Sequence, residues 1–202
     1  MKAAVLYSGG KDSSLIAILL KNLAIDVELV TANFGVYDSY LIAQNSAKYL
    51  HLPHKVINID KSILYSAIDI INNDGFPNNG INFIHNKVLE FIAKSNDSSE
   101  NNYDILADGT RRDDKVPKLN KSQIQSLENK YDIQYINLDS FGYKTIGFLV
   151  NNFFVLSKEN SNPNSSSDYE VEIRKLIDEE GGVSEDIFPK IHYQTRVIGL
   201  KY

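Results

Sequence analysis

Short apolar runs alternate along this chain with stretches whose apolar residues recur every three or four positions. Ala3 to Tyr7 is a continuous apolar run with the length of a strand buried on both faces, and Leu15, Ile16, Ile18 and Leu19 then recur at helical spacing. Val27 to Phe34 is the next strand, followed by a helix from about Asp38 in which Ala43, Ala47 and Leu50 share a face. Lys55 to Ile59 reads as a third strand. Leu64, Ala67, Ile68 and Ile71 form the buried stripe of a helix that Asp60 is placed to cap. A further helix carries Ile81, Ile84, Val88 and Phe91, and Tyr103 to Asp108 gives a fourth strand ending in GTRRDD. Ser122 and Gln125 have capping-box spacing and open a short helix through Leu127; Ile133 to Leu138 is a fifth strand.

Strands that alternate with helices through about Leu138 imply an α/β fold, with a parallel sheet covered on both sides. Beyond it, TIGFLVNNFFVL and EVEIRKLIDEEGG read as two helices, the second stopped at Gly181-Gly182. The pattern divides the chain into a core, residues 1–140, and a C-terminal helical extension, residues 141–202, packed on the same domain. SNDSSENN (Ser95 to Asn102) and NSNPNSSSD (Asn160 to Asp168) read as solvated loops. The segment IHYQTRVIG alternates so that His192, Gln194 and Arg196 share one face if it is extended.

Composition narrows the chemistry. With 202 residues and 43% hydrophobic content the chain has enough apolar material for one sizeable core. A formal charge of -5 argues against coating nucleic acid by bulk electrostatics. There is no cysteine, which excludes a disulfide framework, a thiolate metal site and a cysteine nucleophile or persulfide carrier of the chain's own. No apolar run has the roughly 20 residues needed to span a bilayer, and Met1-Lys2 leads straight into a strand. The expectation is a cytoplasmic protein with no membrane partner.

Between the first strand and the first helix stands SGGKDSS, Ser8 to Ser14. In an open α/β sheet, ligands bind outside the carboxyl ends of the strands, where this turn lies. Gly9 and Gly10 permit positive φ and close backbone approach, so successive N–H groups can face an anion, aided by the positive end of the following helix. A phosphate fits there. Lys11 adds a positive charge, Ser8, Ser13 and Ser14 add hydroxyls, and Asp12 is a candidate ligand for magnesium or an amine. A Walker loop is excluded by spacing, because the position five residues before Gly10-Lys11 is Val5, and GxGxxG is absent.

SGGKDSS after an N-terminal strand resembles the PP-loop, SGGxDS, of the ATP pyrophosphatase superfamily, which includes asparagine, GMP and NAD synthetases and tRNA thiolation and lysidine enzymes. GTRRDD, Gly109 to Asp114, resembles the stretch that many of these proteins carry after their fourth strand, facing the nucleotide. The fuller Thr-Arg-Arg-Asp-Asp-Lys-x-Pro version, with QTRVIGL near the end, is similar to a group of small archaeal stand-alone PP-loop proteins labelled as subunits of a tRNA thiouridine-modifying enzyme.

The resemblance implies a three-layer α/β/α fold with a five-stranded, mainly parallel sheet, HUP or Rossmann-like, of the adenine nucleotide alpha hydrolase kind. It implies that ATP is cleaved between its α and β phosphates and AMP passed to an acceptor. The loop, through its amides with Lys11, Ser8 and Ser13, would hold the leaving pyrophosphate, and magnesium would offset its charge. Asp12, Asp113 and Asp114 are the candidate metal ligands. Arg111, Arg112 and Lys115 are candidates to neutralise the α-phosphate or the incoming acid. Ala32, Asn33 and Phe34, at the end of the second strand, lie where relatives bind adenine and ribose.

Thiolation of a tRNA base is the leading specific reaction. Without cysteine, sulfur would have to arrive on another protein. An ammonia-dependent amide ligase of the NAD or asparagine synthetase kind is a second reading, and a nucleotide-binding regulatory module without turnover is a third. Homodimerisation through the apolar TIGFLVNNFFVL helix is a further option. Tyr169, Glu170, Glu172 and Arg174 read as a helical surface with Asp168 as N-cap, and His51, His54 and His85 show no metal-ligand spacing.

Overall fold

The structure is a computed structural model that describes residues 1–97, 102–114, 119–160, 168–188 and 193–201. In chain order the elements are β1 (Lys2–Leu6), α1 (Lys11–Asn22), β2 (Asp26–Asn33), α2 (Tyr40–Leu50), β3 (His54–Asn58), α3 (Ser62–Asp74) and α4 (Asn78–Lys94). There follow β4 (Ile105–Arg111), α5 (Lys121–Tyr131), β5 (Gln134–Leu138), α6 (Tyr143–Phe153), β6 (Phe154–Asn160), α7 (Tyr169–Glu179) and β7 (Tyr193–Leu200). Five strands form one parallel sheet in the order β3-β2-β1-β4-β5.

Ala3, Ala4 and Val5 of β1 have no exposed surface, as a central parallel strand between two layers of helices requires. On one face Val5 and Leu29 pack with Leu15 of α1, Ala43 of α2 and Ile146 of α6. On the other, Ala4 and Val30 pack with Leu64 of α3, Ile84 of α4 and Ile173 of α7. The chain runs outward from β1 to β3 and then returns to place β4 on the other side of β1. The carboxyl ends of β1 and β4 therefore form the point where the winding reverses, the position at which such sheets bind ligands.

The C-terminal part contains the two expected helices and, in addition, an antiparallel hairpin of β6 and β7. TIGFLVNNFFVL does not stay helical: α6 stops at Phe153, and Phe154 is already extended and fully covered in the core. Without a glycine or proline at the junction, the apolar run carries no punctuation to mark the change. β7 is extended, and its Arg196 pairs with Gly10 in an isolated antiparallel bridge, so the tail does fold back onto the SGGKDSS turn. His192 lies outside the described residues. At α5 the capping box is made by Asn120 and Gln123, not by Ser122 and Gln125. Both pairs have the same spacing, and the earlier one wins because Asn120 keeps the extended backbone that an N-cap needs. Asp60 does accept from the Ser62 N–H at 2.8 Å, and Asp168 caps α7 through Glu170 N–H at 3.1 Å.

Candidate active site

The turn after β1 is built by its glycines. Gly9 adopts φ +77°, and a Cβ there would meet Ser46 Oγ at 3.0 Å and the Ala43 Cα of α2 at 3.3 Å. Gly10 is the N-cap of α1, with no side chain to accept from the first amides of the helix. The helix dipole concentrates positive potential on the amides of this first turn. Ser13 shapes the turn: its hydroxyl donates to the Gly10 carbonyl at 3.2 Å and lies 3.4 Å from both the Ser8 amide and the Ser8 hydroxyl. Ser14 serves the core instead, fully buried with its hydroxyl 3.3 Å from that of Tyr7.

β4 closes against this turn. A Cβ on Gly109 would sit 2.5 Å from the Ser13 nitrogen and 2.7 Å from the Asp12 carbonyl carbon, both backbone atoms. Only glycine lets the end of β4 approach α1 so closely. Two residues on, Arg111 joins the two segments: its guanidinium reaches Asp114 Oδ1 at 2.9 and 3.1 Å and Asp12 Oδ2 at 3.5 Å, and its amide donates to Asp114 Oδ2 at 2.7 Å. Lys11 Nζ lies 2.9 Å from Asp12, so that carboxylate sits between two cations.

Between these segments lies a cavity of about 310 Å³, whose wall includes Ser8, Asp12, Ser13, Thr31, Ala32, Gly109 and Asp114. Its far side comes from elsewhere: Ile81 and His85 of α4, Asp108 of β4, and Asp168 and Tyr169 at the start of α7. The C-terminal extension thus supplies part of the wall. Glu172, read from the sequence as part of a helical surface, is buried, and its carboxylate accepts from Phe34 N–H at 3.0 and 3.2 Å and Val36 N–H at 3.2 Å. Burial pushes its pKa up, and those amide donors oppose the shift. Glu172→Ala strands the buried Phe34 amide and the half-buried Val36 amide and is expected to destabilise the fold by about 2 kcal/mol, a fall of roughly 4–8 °C in Tm by calorimetry.

Asp108 is the most enclosed ionisable group of the site, and three donors reach it. Thr110 N–H lies 2.8 Å from Oδ1, while the Tyr135 hydroxyl at 2.7 Å and His85 Nε2 at 2.8 Å share Oδ2. Burial alone would raise its pKa, but the His85 ring, the Tyr135 hydroxyl and the Thr110 amide together hold it below the usual carboxylate range. A carboxyl whose pKa is lower folded than unfolded stabilises the fold above the unfolded value, and that stability is lost as pH falls through the folded value. Urea unfolding at stepped pH is therefore expected to show a loss below about pH 4 that Asp108→Asn removes.

Of the residues expected from the sequence, the structure brings Ser8, Asp12, Ser13, Ala32, Gly109 and Asp114 to the cavity wall. Gly9, Gly10, Lys11 and Arg111 shape or flank its mouth. The side chains of Asn33 and Phe34 are engaged elsewhere: Asn33 brackets the loop after β2 through Tyr37 and Gly35, and Phe34 is core, edge-on to Tyr169. Asp113 and Arg112 are exposed, and the Arg112 guanidinium lies beside Gly142. Lys115 is outside the described residues, and so is the side chain of Gln194. His85, Asp108, Tyr135, Tyr169 and Glu172 are the site residues that sequence reasoning missed. No helix among the described residues is long and apolar enough to cross a membrane.

A family model described as a family of unknown function, DUF7411, matches residues 1–199. The chain belongs to that family. The DUF7411 chain is 50% identical over 202 residues to the uncharacterized protein MJ0690 of Methanocaldococcus jannaschii, covering 100% of this chain and 97% of that one. The crystal structure of a predicted subunit of tRNA methyltransferase from Methanocaldococcus jannaschii superposes with a TM-score of 0.89 at 49% identity, over 100% of this chain and 99% of that one. The U34-tRNA thiolase NcsA of Methanococcus maripaludis, solved with its 4Fe–4S cluster, superposes with a TM-score of 0.52 at 19% identity, over 75% of this chain and 56% of the thiolase. The fold of this DUF7411 member, an α/β Rossmann-like arrangement around a five-stranded parallel sheet, is thus shared with the thiolase over the part that superposes.

Proposed function

We propose that this DUF7411 protein binds ATP in the cavity between α1 and β4, cleaves it between the α and β phosphates, and adenylates an acceptor in tRNA base modification. One observation carries the reading: the first turn of α1, without a side-chain cap and after the left-handed Gly9, borders the cavity through Asp12 and Ser13, with Gly109 packed against it. That arrangement suits a phosphate chain held by backbone amides. The tRNA part rests on the relatives: a similar chain is named as a subunit of a tRNA methyltransferase, and the fold is shared with a tRNA thiolase. As no cysteine is present, sulfur in a thiolation would come from a partner protein.

The residues fit magnesium in the manner usual for nucleotide sites. Asp12 and Asp114 line the cavity, while no trio of ligating side chains gathers among the described residues. Magnesium commonly takes one or two carboxylates and the substrate's own phosphates, so Asp12 and Asp114 would hold it, and it would offset charge on the leaving pyrophosphate. Lys11 and Arg111 stand next to those carboxylates and are placed to shift their charge toward the phosphates. Ser8 and Ser13 offer hydroxyl donors at the same wall.

The test is product identity from ATP and magnesium, with and without unmodified tRNA transcripts. AMP and pyrophosphate are the expected products, and Lys11→Ala is expected to lower their rate about tenfold, one lost charge contact of ~1.4 kcal/mol. ADP and inorganic phosphate, or no cleavage with any acceptor, would overturn the reading.

A further inference from the structure

His85 and Asp108 come from α4 and β4, 23 positions apart in the chain, and meet at 2.8 Å on the cavity wall. Asp108 accepts from the Tyr135 hydroxyl and the Thr110 amide, as a carboxylate does, and a carboxylate offers no proton, so His85 Nε2 is the donor in their contact. In the neutral ring Nε2 then carries the hydrogen and Nδ1 the lone pair. The ring stays a quarter exposed, 25% for its side chain against 2% for Asp108, so it is an open group held by a closed one. Tyr135 fixes the same carboxylate oxygen from β5 and the Thr110 amide fixes the other, so Asp108 has little freedom to rotate.

The position of this pair matters as much as its chemistry. α1 packs on one face of the sheet, whereas α4 and α7 pack on the other. Displacement at phosphorus runs in line, with the attacking atom opposite the leaving group. If pyrophosphate lies on the α1 amides, the attacking atom lies toward the wall of α4 and α7, where His85 stands. A neutral imidazole oriented by a buried carboxylate is a common arrangement for a general base.

We propose that His85, oriented by Asp108, is the base that takes the acceptor's proton as the acceptor attacks the α-phosphate of ATP. This assignment rests on the adenylation reading above. The bond from the acceptor atom to α-phosphorus forms, the bond from α-phosphorus to the bridging oxygen breaks, and pyrophosphate leaves with that electron pair. The proton of the acceptor passes to Nδ1 and from there to solvent. Asp108 acts as a positioning residue, stabilising the imidazolium without taking its proton.

The titratable groups that face His85 are Asp108 on β4, Tyr135 on β5, and Asp168 and Tyr169 on α7, with Asp12 and Asp114 at the same cavity. Its hydroxyls stay neutral near pH 7, because burial pushes Tyr135 and Tyr169 up.

The experiment measures AMP release from ATP and magnesium between pH 5 and 9, with water alone and with unmodified tRNA transcripts, beside ATP affinity by calorimetry. His85→Gln is expected to lower AMP release about 100-fold, to flatten the acid limb of the wild-type profile and to leave ATP affinity within about threefold. Asp108→Asn is expected to lower the rate and shift that limb, and nitrogen-detected NMR of His85 is expected to show the Nε2–H tautomer in the wild type. A His85→Gln enzyme with wild-type rate and pH profile would overturn the assignment while leaving adenylation intact. A wild type that yields no AMP would instead remove the adenylation reading on which the assignment rests. Loss of ATP affinity in His85→Gln, with the rate unchanged at saturating ATP, would make His85 a nucleotide contact and not a base.

Discussion

Gly109→Ala is expected to abolish measurable ATP binding while leaving the secondary structure in place. The new methyl would lie 2.5 and 2.7 Å from backbone atoms of Ser13 and Asp12, distances at which no rotamer change gives relief. β4 or the first turn of α1 must move, and the cavity wall that they form moves with it. The turn has little slack: Gly9 is pressed on α2, Ser13 is bonded to Gly10 and Ser8, and Gly10 is bridged to Arg196. Overpacking of this kind costs about 1–3 kcal/mol of stability, visible as a lower urea midpoint. A folded Gly109→Ala protein that binds ATP like the wild type would show that the turn does not hold the phosphates.

Arg111→Ala is expected to lower the rate of AMP formation by roughly 10²–10³-fold, the usual effect of removing one preorganised donor to a developing charge. Arg111 bridges two carboxylates that both line the cavity, at 3.5 Å for Asp12 and 2.9 Å for Asp114. Without it an anion would meet two carboxylates with Lys11 as the nearest compensation, so ATP affinity falls as well as the rate. Arg111→Lys keeps the charge but not the planar fork that spans both acids, and is expected to restore binding more than turnover. Thermal stability should change little in either variant, because the pair is partly solvent-exposed and screened. Equal activity of the alanine variant would show that Arg111 only braces its loop.

The parallel sheet was legible because each of its strands is a short apolar run set between helical stripes, a pattern that few other folds produce. The turn was legible for a local reason. Gly9 and Gly10 stand together with Lys11, Asp12, Ser13 and Ser14 in the one place where an α/β sheet offers amides to a ligand. What the sequence concealed is what long-range packing creates. His85 looks like one polar position on a helix carrying Ile81, Ile84 and Val88, and nothing local ties it to Asp108. Asp108 itself closes a predicted buried strand, and a carboxylate in that place is the signal that could have been pursued. Glu172 read as surface because α7 alternates charged and apolar residues, yet the helix lies with that carboxylate turned inward onto the loop after β2. β6 was hidden because Phe153 and Phe154 continue one apolar run across the boundary between a helix and a strand.

The amides at Gly9 and Gly10 and at the start of α1 are expected to hold the phosphates of a nucleotide. Calorimetric titration of ATP with magnesium into the wild type, repeated with Gly109→Ala, decides this. One ATP per wild-type chain, and no heat of binding with the folded variant, is the expected result. No uptake by the wild type, or the same affinity in both proteins, would contradict it.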